Sequence, residues 1–176
     1  MPNWCSNYLE LHHADPAQLE KIRTAMGEGK FFDSVIPLPE VLRKDFKPDE
    51  AQANRLACGY TDWYQFCTTE WGTKWDVTGR DYYFGDEDED EVSIAVRFET
   101  AWAPPVGIYQ ELLKRGFKVE AYWVEEGAGF CGCFVNGNAA DYDIPDTAEE
   151  AERLIPVNVL YETGLLDLLY DREAER

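Results

Sequence analysis

The amino-acid sequence predicts an α+β protein in which an antiparallel β-sheet carries helices on one face. Two patterns lead to this prediction. Short stretches in which apolar and polar residues alternate, typical of half-buried strands, recur along the chain. Between them lie segments with apolar residues three or four positions apart, which begin after helix-start signals. The two kinds of segment follow one another in the order β, α, β, β, α, β, with further elements after them.

The first strand and the first helix have clear boundaries in the sequence. Residues Trp4 to His12 alternate, with Leu9 and Leu11 on the same side of the predicted strand. Asp15-Pro16 is then suited to the N-cap and first position of a helix. The helix is expected to bury Leu19, Ile22 and Met26. It is expected to end at Gly27 and Gly29.

The next part of the chain carries weaker signals. Phe31 to Ile36 is an apolar stretch compatible with a short strand, and prolines follow it. A polar insertion over the surface is predicted at about residues 37–70, with a helical turn or two after Pro48-Asp49. Within the insertion, Thr61-Asp62 is suited to cap a short helix, which leads directly into a Trp-rich motif.

A β-hairpin with an acidic tip is predicted next. Val77 to Phe84 is rich in β-branched and aromatic residues, as strands are. Val92 to Thr100 alternates regularly between apolar and polar residues. An unbroken acidic run, Asp86 to Glu91, joins the two stretches after a turn at Gly85. The two strands are therefore expected to pair with each other.

A second helix and a fourth strand complete the central pattern. Pro104-Pro105 opens a helix that Arg115-Gly116 closes. Phe117 to Glu125 then alternates as a strand does. The resulting order is that of the split βαβ, or ferredoxin-like, arrangement.

The chain continues beyond this pattern. Phe130 to Val135 and Ala139 to Ile144 flank Asn136-Gly137-Asn138, a hairpin turn signal. Ala148 to Leu154 is predicted as a helix, and a C-terminal apolar helix follows that Gly164 is expected to kink or split. We therefore predict a single domain over residues 1–176, with a ferredoxin-like core at about 1–126. The hairpin and the last helices form a C-terminal extension at 127–176.

Charge is the main compositional feature of the sequence. Acidic residues number 35 and basic residues 16, which gives a formal net charge of −19. A surface this negative repels phosphate groups, so direct binding of nucleic acid is not expected. It favours a basic protein as partner. A sharper version of the same hypothesis is that the acids mimic the phosphate backbone of a nucleic acid.

Composition also bears on location and cofactors. No stretch approaches the roughly 18 apolar residues that a membrane span requires, and the N-terminus lacks the pattern of a secretory signal. Five cysteines without regular spacing indicate reduced thiols, so a cytoplasmic protein is expected. Cys131 and Cys133 lie on one face of a predicted strand, but a structural zinc site needs four ligands. We expect neither a metal nor another cofactor.

Three Trp-bearing turns suggest a shared junction, since a Trp side chain is costly to leave in water. The residues that could line a ligand site there are Trp4, Asn7, Trp71, Lys74, Trp75, Asp76 and Trp102. In the functional interpretation, Lys74 and Asp76 orient a polar ligand between aromatic walls. In the structural interpretation, which we favour, the turn satisfies its own backbone donors and the rings pack in the core.

The acidic run has two interpretations as well. Calcium loops of the EF-hand type need Gly at the sixth position and Glu at the twelfth. Counted from Asp86, this chain has Glu91 and Arg97 at these two positions, so the run does not match a calcium loop. A solvated hairpin tip is the ordinary interpretation of such a run. As an interaction surface it would comprise Asp86, Glu87, Asp88, Glu89, Asp90 and Glu91.

Three motifs carry a resemblance to a known family. They are Met1-Pro2-Asn3-Trp4-Cys5-Ser6-Asn7, Trp71-Gly72-Thr73-Lys74-Trp75-Asp76 and Phe98-Glu99-Thr100-Ala101-Trp102-Ala103-Pro104-Pro105. In this combination and order the chain resembles the YubB-like family of plasmid, phage and bacterial proteins. The resemblance implies a ferredoxin-like domain and a mobile-element setting, and it brings no catalytic residues to transfer.

Two functions of different classes follow from the sequence. The leading hypothesis is a non-enzymatic interaction protein of a plasmid or phage, which uses its acidic surface to bind a basic host or element protein. The alternative is a small ligand-binding protein or enzyme with a site at the junction of Trp71, Trp75 and Trp102. The sequence has no phosphate-binding glycine loop, no nucleophile elbow and no helical metal motif.

Overall fold

The computed structural model describes residues 3–45, 47–77, 82–84 and 92–175. Its strands form one antiparallel sheet: β1 (Trp4–His12), β2 (Tyr82–Phe84), β3 (Ser93–Ala101), β4 (Lys118–Glu125), β5 (Phe130–Val135) and β6 (Asn138–Asp143). The strand order is β2-β3-β1-β4-β5-β6. The first four strands have the arrangement of a ferredoxin-like sheet, and β5 and β6 extend the sheet beyond β4. The predicted fold class is confirmed.

The described helices are α1 (Pro16–Gly27), α2 (Phe31–Val35), α3 (Ala51–Cys58), α4 (Trp63–Phe66), α5 (Val106–Lys114), α6 (Ala148–Leu154), α7 (Val157–Thr163) and α8 (Leu165–Ala174). Helix α1 begins as predicted, because the Asp15 carboxylate accepts a hydrogen bond from the Ala17 amide at 3.0 Å. Gly164 adopts a φ of 69° and separates α7 from α8. Across the described part of the chain, every helix is too short or too polar to span a bilayer.

Helices cover both faces of the sheet, so the prediction that they lie on one face was wrong in this respect. The main core lies between one face and helices α1, α2 and α5. A second apolar cluster lies between the opposite face and helices α6, α7 and α8. The alternation of β4 explains this division, because Ala121 and Trp123 point into the main core while Tyr122 and Val124 point into the second cluster. The C-terminal extension therefore supplies a third layer.

Helix α2 replaces the short strand predicted at Phe31 to Ile36, and that prediction was wrong. The Asp76 carboxylate accepts hydrogen bonds from the amides of Phe32, at 2.8 Å, and Asp33, at 2.9 Å. These amides belong to the first turn of α2 and lack partners within the helix. A distant side chain thus caps the helix, while Phe31 and Phe32 are fully buried.

The polar insertion brings a short helix up to the Trp-rich motif. Asp62 caps α4 by accepting a hydrogen bond from the Gln65 amide at 2.9 Å, as the sequence predicted. The chain then continues as a π-helical segment, Cys67–Trp71. The Gly72 amide closes this segment with a hydrogen bond to the Cys67 carbonyl at 3.1 Å. Such segments are rare and often occur near functional sites.

The predicted hairpin is observed where the structure describes it. Strand β2 pairs with β3, with Tyr82 opposite Phe98 and Phe84 opposite Val96. Val77 precedes β2 without belonging to it. The acidic run Asp86 to Glu91 lies outside the described residues.

Candidate functional site

The three Trp-bearing segments meet at one end of β1 and β3. Trp4 is paired with Ala101 across the two strands. The Thr73 hydroxyl donates a hydrogen bond to the Ala101 carbonyl at 2.8 Å. The Trp102 amide donates to the Asn3 carbonyl at 3.0 Å. The start of the chain, the Trp-rich motif and the turn after β3 are therefore connected directly.

Two glycines allow these segments to approach each other closely. Gly72 has a φ of 94°, and a Cβ atom there would lie 2.9 Å from the Pro104 carbonyl oxygen. At Gly107, in the first turn of α5, a Cβ atom would lie 1.8 Å from the Glu70 carbonyl oxygen. A side chain at either position would force the segments apart.

Trp102 has an unusual backbone conformation. Its φ is 71°, a region that a bulky residue rarely adopts and that costs about 1 to 2 kcal/mol. The Thr100 hydroxyl donates to the Ala103 carbonyl at 2.9 Å and helps to hold the turn. The strained turn places the Trp102 indole at the surface, where 40% of it is exposed.

Four aromatic side chains form an exposed cluster at this junction, the aromatic patch: Trp4, Tyr64, Trp75 and Trp102. The ring centroids of Trp4 and Trp75 are 6.4 Å apart, and so are those of Tyr64 and Trp102. Between 40% and 49% of each residue is exposed. The favoured interpretation, in which the rings of the motif pack in the core, therefore holds for Trp71 and was wrong for the Trp residues of this patch. Exposed apolar clusters are typical of ligand or protein interaction sites.

Lys74 lies among the rings of the aromatic patch. Its Nζ is 4.2 Å from the ring centroid of Trp75, 5.0 Å from that of Trp102 and 5.8 Å from that of Tyr64. These distances are in the range of cation–π interactions. Lys74 is partly buried and forms no ion pair with any carboxylate of the described chain. The aromatic rings are thus the surroundings that stabilise this positive charge.

A pocket of about 340 Å³ opens beside the aromatic patch. Its apolar wall is formed by Leu38, Leu42, Trp63, Cys67, Trp71 and Trp75. Its charged lining is formed by Arg43, Lys44, Asp45, Lys74 and Asp76. The volume is at the lower end of the range for small-molecule sites.

Trp71 and Asp76 have structural partners as well as places in the pocket lining. The Trp71 indole N–H donates to the Ile36 carbonyl at 2.9 Å, and the residue is 4% exposed. Both carboxylate oxygens of Asp76 accept backbone hydrogen bonds. Burial raises the pKa of Asp76 to about 6, although the amides of Asp33, Phe32 and Val77 act in the opposite direction.

Asn7 is placed in the core of the sheet. Its amide nitrogen donates to the Thr100 hydroxyl and to the Cys5 carbonyl, both at 2.8 Å. Its oxygen accepts from the Tyr109 hydroxyl at 3.3 Å. With 3% of its surface exposed, Asn7 supports the strands and does not line the pocket.

Sequence reasoning missed several residues of this site. Tyr64 and Trp63 come from α4, and Arg43 and Lys44 come from the polar insertion. The adjacent bases Arg43 and Lys44 were a usable signal, because bases are scarce in this acidic chain. The insertion was interpreted as a surface excursion, whereas it builds one side of the pocket.

The cysteines near the sheet are in environments that favour the neutral thiol. Cys131 is buried in the second cluster, and Cys133 packs against that cluster. Burial raises the pKa of Cys131 to about 12, and it raises the pKa of Cys133 as well. A thiol that stays protonated is a poor nucleophile and a poor metal ligand.

The fold and the site define an α+β protein with a ferredoxin-like sheet and an aromatic, lysine-containing pocket at one end of it. The family model described as ferredoxin-like domain in Api92-like protein matches residues 81–163, from just before β2 to the end of α7. A solved structure, that of the protein api92 from Yersinia pseudotuberculosis of family DUF1281, is similar with a TM-score of 0.48 and 10% identity. The similarity covers 82% of this chain and 99% of that chain. Among curated proteins, none matches.

Proposed function

We propose that this chain is a non-enzymatic interaction protein that binds a basic protein through an acidic surface. The observation that supports the proposal is the charge of the C-terminal layer, by which we mean residues 138–175 (β6, α6, α7 and α8). Eleven acidic residues face only two basic ones there, Arg153 and Arg172. A surface of one sign attracts a partner of the opposite sign and raises the rate of association.

The acids of the C-terminal layer are accessible. Nine are exposed and two are partly exposed; the full set is Asp141, Asp143, Asp146, Glu149, Glu150, Glu152, Glu162, Asp167, Asp171, Glu173 and Glu175. Only two of them form ion pairs with described bases, Glu150 with Arg153 and Glu162 with Arg97. The layer therefore retains most of its negative charge for a partner.

Apolar side chains lie among these acids. Val157 and Tyr161 are four residues apart on one side of α7, and 79% of each is exposed. Leu154, just before them, is 55% exposed. Protein interfaces commonly combine a few apolar or aromatic anchors with a charged rim. The combination supports a protein as the partner.

The boldest form of the proposal is mimicry of a nucleic acid in a plasmid or phage setting. A negative layer of this kind would occupy the binding face of a DNA-handling or defence protein of the host. The resemblance to the YubB-like family motivates the mobile-element setting. The acidic run from Asp86 to Glu91 would add to the negative charge.

The test is capture of partners from a bacterial host lysate, followed by identification and by reconstitution with the purified partner. A variant with Glu149→Gln, Glu152→Gln and Asp167→Asn removes three exposed charges from the C-terminal layer. A matched control, Glu20→Gln, Glu28→Gln and Asp49→Asn, removes three exposed charges elsewhere. We expect a basic partner whose affinity falls about tenfold in the first variant and little in the control. Equal loss in both variants, or a partner without basic character, would contradict the proposal.

A second function, binding of a small ligand at the Trp junction, is favoured by one specific observation. Lys74 is a partly buried cation held by aromatic rings beside a pocket. Ligand sites commonly combine apolar walls with a few polar groups that fix orientation. A ligand-binding protein, or an enzyme built on the same pocket, would use these groups.

A further inference from the structure

We infer that the pocket beside the aromatic patch binds a small organic anion with a flat apolar body, and that Lys74 contacts its charged group. The inference rests on the second function proposed above and names its ligand class. Four features of the pocket support the inference. They are the lack of an acidic partner for Lys74 among the described residues, the bases on the rim, the aromatic walls, and the low reactivity of Asp76 and Cys67.

Lys74 differs from the paired bases of the chain. Lys30, Lys47, Lys114 and Arg172, for example, each form an ion pair with a carboxylate. Lys74 is partly buried, forms no ion pair with a described carboxylate, and has three aromatic rings within 5.8 Å of its Nζ. A charge withdrawn from water is unfavourable unless an opposite charge or hydrogen-bond acceptors compensate it. An incoming carboxylate would supply both.

The rim of the pocket adds further positive charge. Arg43 and Lys44 both line it. Arg43 is already engaged with Asp33 at 2.8 Å and with Glu40 at 3.3 Å, whereas Lys44 forms no ion pair with a described acid. One acid on the rim, Asp45, is exposed. Three bases and two acids, Asp45 and Asp76, thus line the pocket, and Arg43 and Asp76 are already engaged within the chain. Lys44 and Lys74 remain as cations without an acidic partner among the described residues, which in a protein with a net charge of −19 points to an anionic ligand.

The walls select the body of the ligand. Three indoles, those of Trp63, Trp71 and Trp75, line the pocket together with Leu38 and Leu42. Flat aromatic walls favour a flat, apolar partner that can stack on them. The volume of about 340 Å³ suits a compact ligand of one or two fused rings.

Two further groups of the lining, Asp76 and Cys67, are held in states that do not favour reaction with a ligand. The Asp76 carboxylate is engaged by three backbone amides. Cys67 is buried, and burial raises its pKa to about 12, so that it stays a neutral thiol near pH 7. The pocket is therefore suited to reversible binding, with Lys74 and Lys44 as the cations that an anion meets.

The test is isothermal titration calorimetry with three probes that share one ring system: 2-naphthoate, 2-naphthalenemethanol and 2-naphthylmethylamine. We expect 2-naphthoate to bind and the neutral and cationic probes to bind at least about tenfold more weakly. Lys74→Met keeps the apolar stem and removes the charge, so it should weaken naphthoate binding by about tenfold or more. Lys44→Met should weaken it to a smaller extent, and Lys118→Met, at an exposed position on β4, should not change it.

The outcomes separate the ligand class from the site itself. If the neutral or the cationic probe binds as tightly as 2-naphthoate or more tightly, the assignment of an anionic ligand is overturned. If that binding is also lost in Trp75→Ala, the junction is still a ligand site. No binding of any probe to the wild-type protein would overturn both the inference and the second proposed function. Binding of naphthoate that is unchanged in both Lys74→Met and Lys44→Met would overturn the assignment of the charged contact.

Discussion

Asp76 stabilises helix α2 from 44 positions away in the sequence. Its carboxylate accepts hydrogen bonds from the amides of Phe32, Asp33 and Val77. The sequence suggested this residue as a ligand contact, and equally as a group that satisfies backbone donors. The geometry agrees with the second interpretation, because both oxygens are occupied within the chain. A residue that looks functional by its motif can thus be needed for the shape of the site.

Replacement of Asp76 by Asn should destabilise the protein. The amide group of Asn offers one acceptor oxygen where the carboxylate offers two, so at least one buried backbone N–H loses its partner. We expect a loss of about 1 to 2 kcal/mol in the free energy of unfolding, measured by urea denaturation. Asp45→Asn, at an exposed position of the pocket rim, is the control and should change stability little. Equal stability of the two variants would refute the capping role.

The pH dependence of stability tests the environment of Asp76. Burial raises the pKa of this carboxyl from 3.8 to about 6 in the folded protein, against the opposing effect of the amides. Between about pH 4 and pH 6 the folded state therefore holds a proton that the unfolded state has released. The stability advantage of the wild type over Asp76→Asn should fall as the pH rises through this window and stay constant above it. An advantage that grows with pH would show that the three amide donors outweigh burial.

Trp102 allows a test of backbone strain. At a φ of 71° glycine is unstrained, whereas any residue with a Cβ atom is not. Trp102→Gly should therefore be more stable than Trp102→Ala by about 1 kcal/mol in thermal or urea unfolding. At most positions the order is the reverse, because glycine gains more entropy on unfolding. If Trp102→Ala is instead the more stable variant, the backbone of the turn leaves the positive-φ conformation once the indole is removed, and the expected strain is absent.

At the level of elements, the sequence predicted strands and helices correctly where the local sequence signals agree with the tertiary packing. Strand β1 spans the predicted Trp4–His12, and α6 spans the predicted Ala148–Leu154. Helix α2 was missed because its cap comes from Asp76, which no local pattern announces. The third layer was missed for a related reason: the alternation in β4 reveals two faces, but it does not say what covers the second one.

The contact between α5 and the π-helical segment can be tested with one methyl group. A Cβ atom at Gly107 would lie 1.8 Å from the Glu70 carbonyl oxygen. Gly107→Ala should therefore lower the free energy of unfolding by about 2 kcal/mol, although alanine ordinarily favours a helix. Gly27→Ala, at the end of α1, is the control, because the nearest neighbour of a Cβ atom there would be the Tyr82 hydroxyl at 3.7 Å. A neutral effect of both changes would contradict the close approach.

At the scale of the molecule, the sequence predicted the ferredoxin-like order and the meeting of the Trp-bearing turns. It did not predict that Lys74 would lie among three rings. Tyr64 belongs to α4 and still lies with its ring centroid 5.8 Å from the Lys74 Nζ. Such tertiary placement leaves no periodic signal in the sequence. The acidic character, in contrast, was evident from composition alone, and the described C-terminal layer carries much of it.

The molecule thus carries two proposed binding surfaces: the acidic C-terminal layer for a protein, and the aromatic pocket that contains Lys74 for a small anion. The proposals are independent, because they involve different residues and opposite charges. A variant that removes acids from the C-terminal layer should leave naphthoate binding at the pocket unchanged. Conversely, Lys74→Met should leave the capture of a basic protein unchanged.

The most direct test of the central claim is the salt dependence of the affinity for the purified partner, measured in about 50 mM and about 300 mM NaCl. If the C-terminal layer binds through its charge, the Kd of the wild type should rise about tenfold or more between these conditions. The variant lacking the charges of Glu149, Glu152 and Asp167 should show a smaller rise. A Kd that does not change with salt, or an equal rise in the wild type and the variant, would contradict the claim.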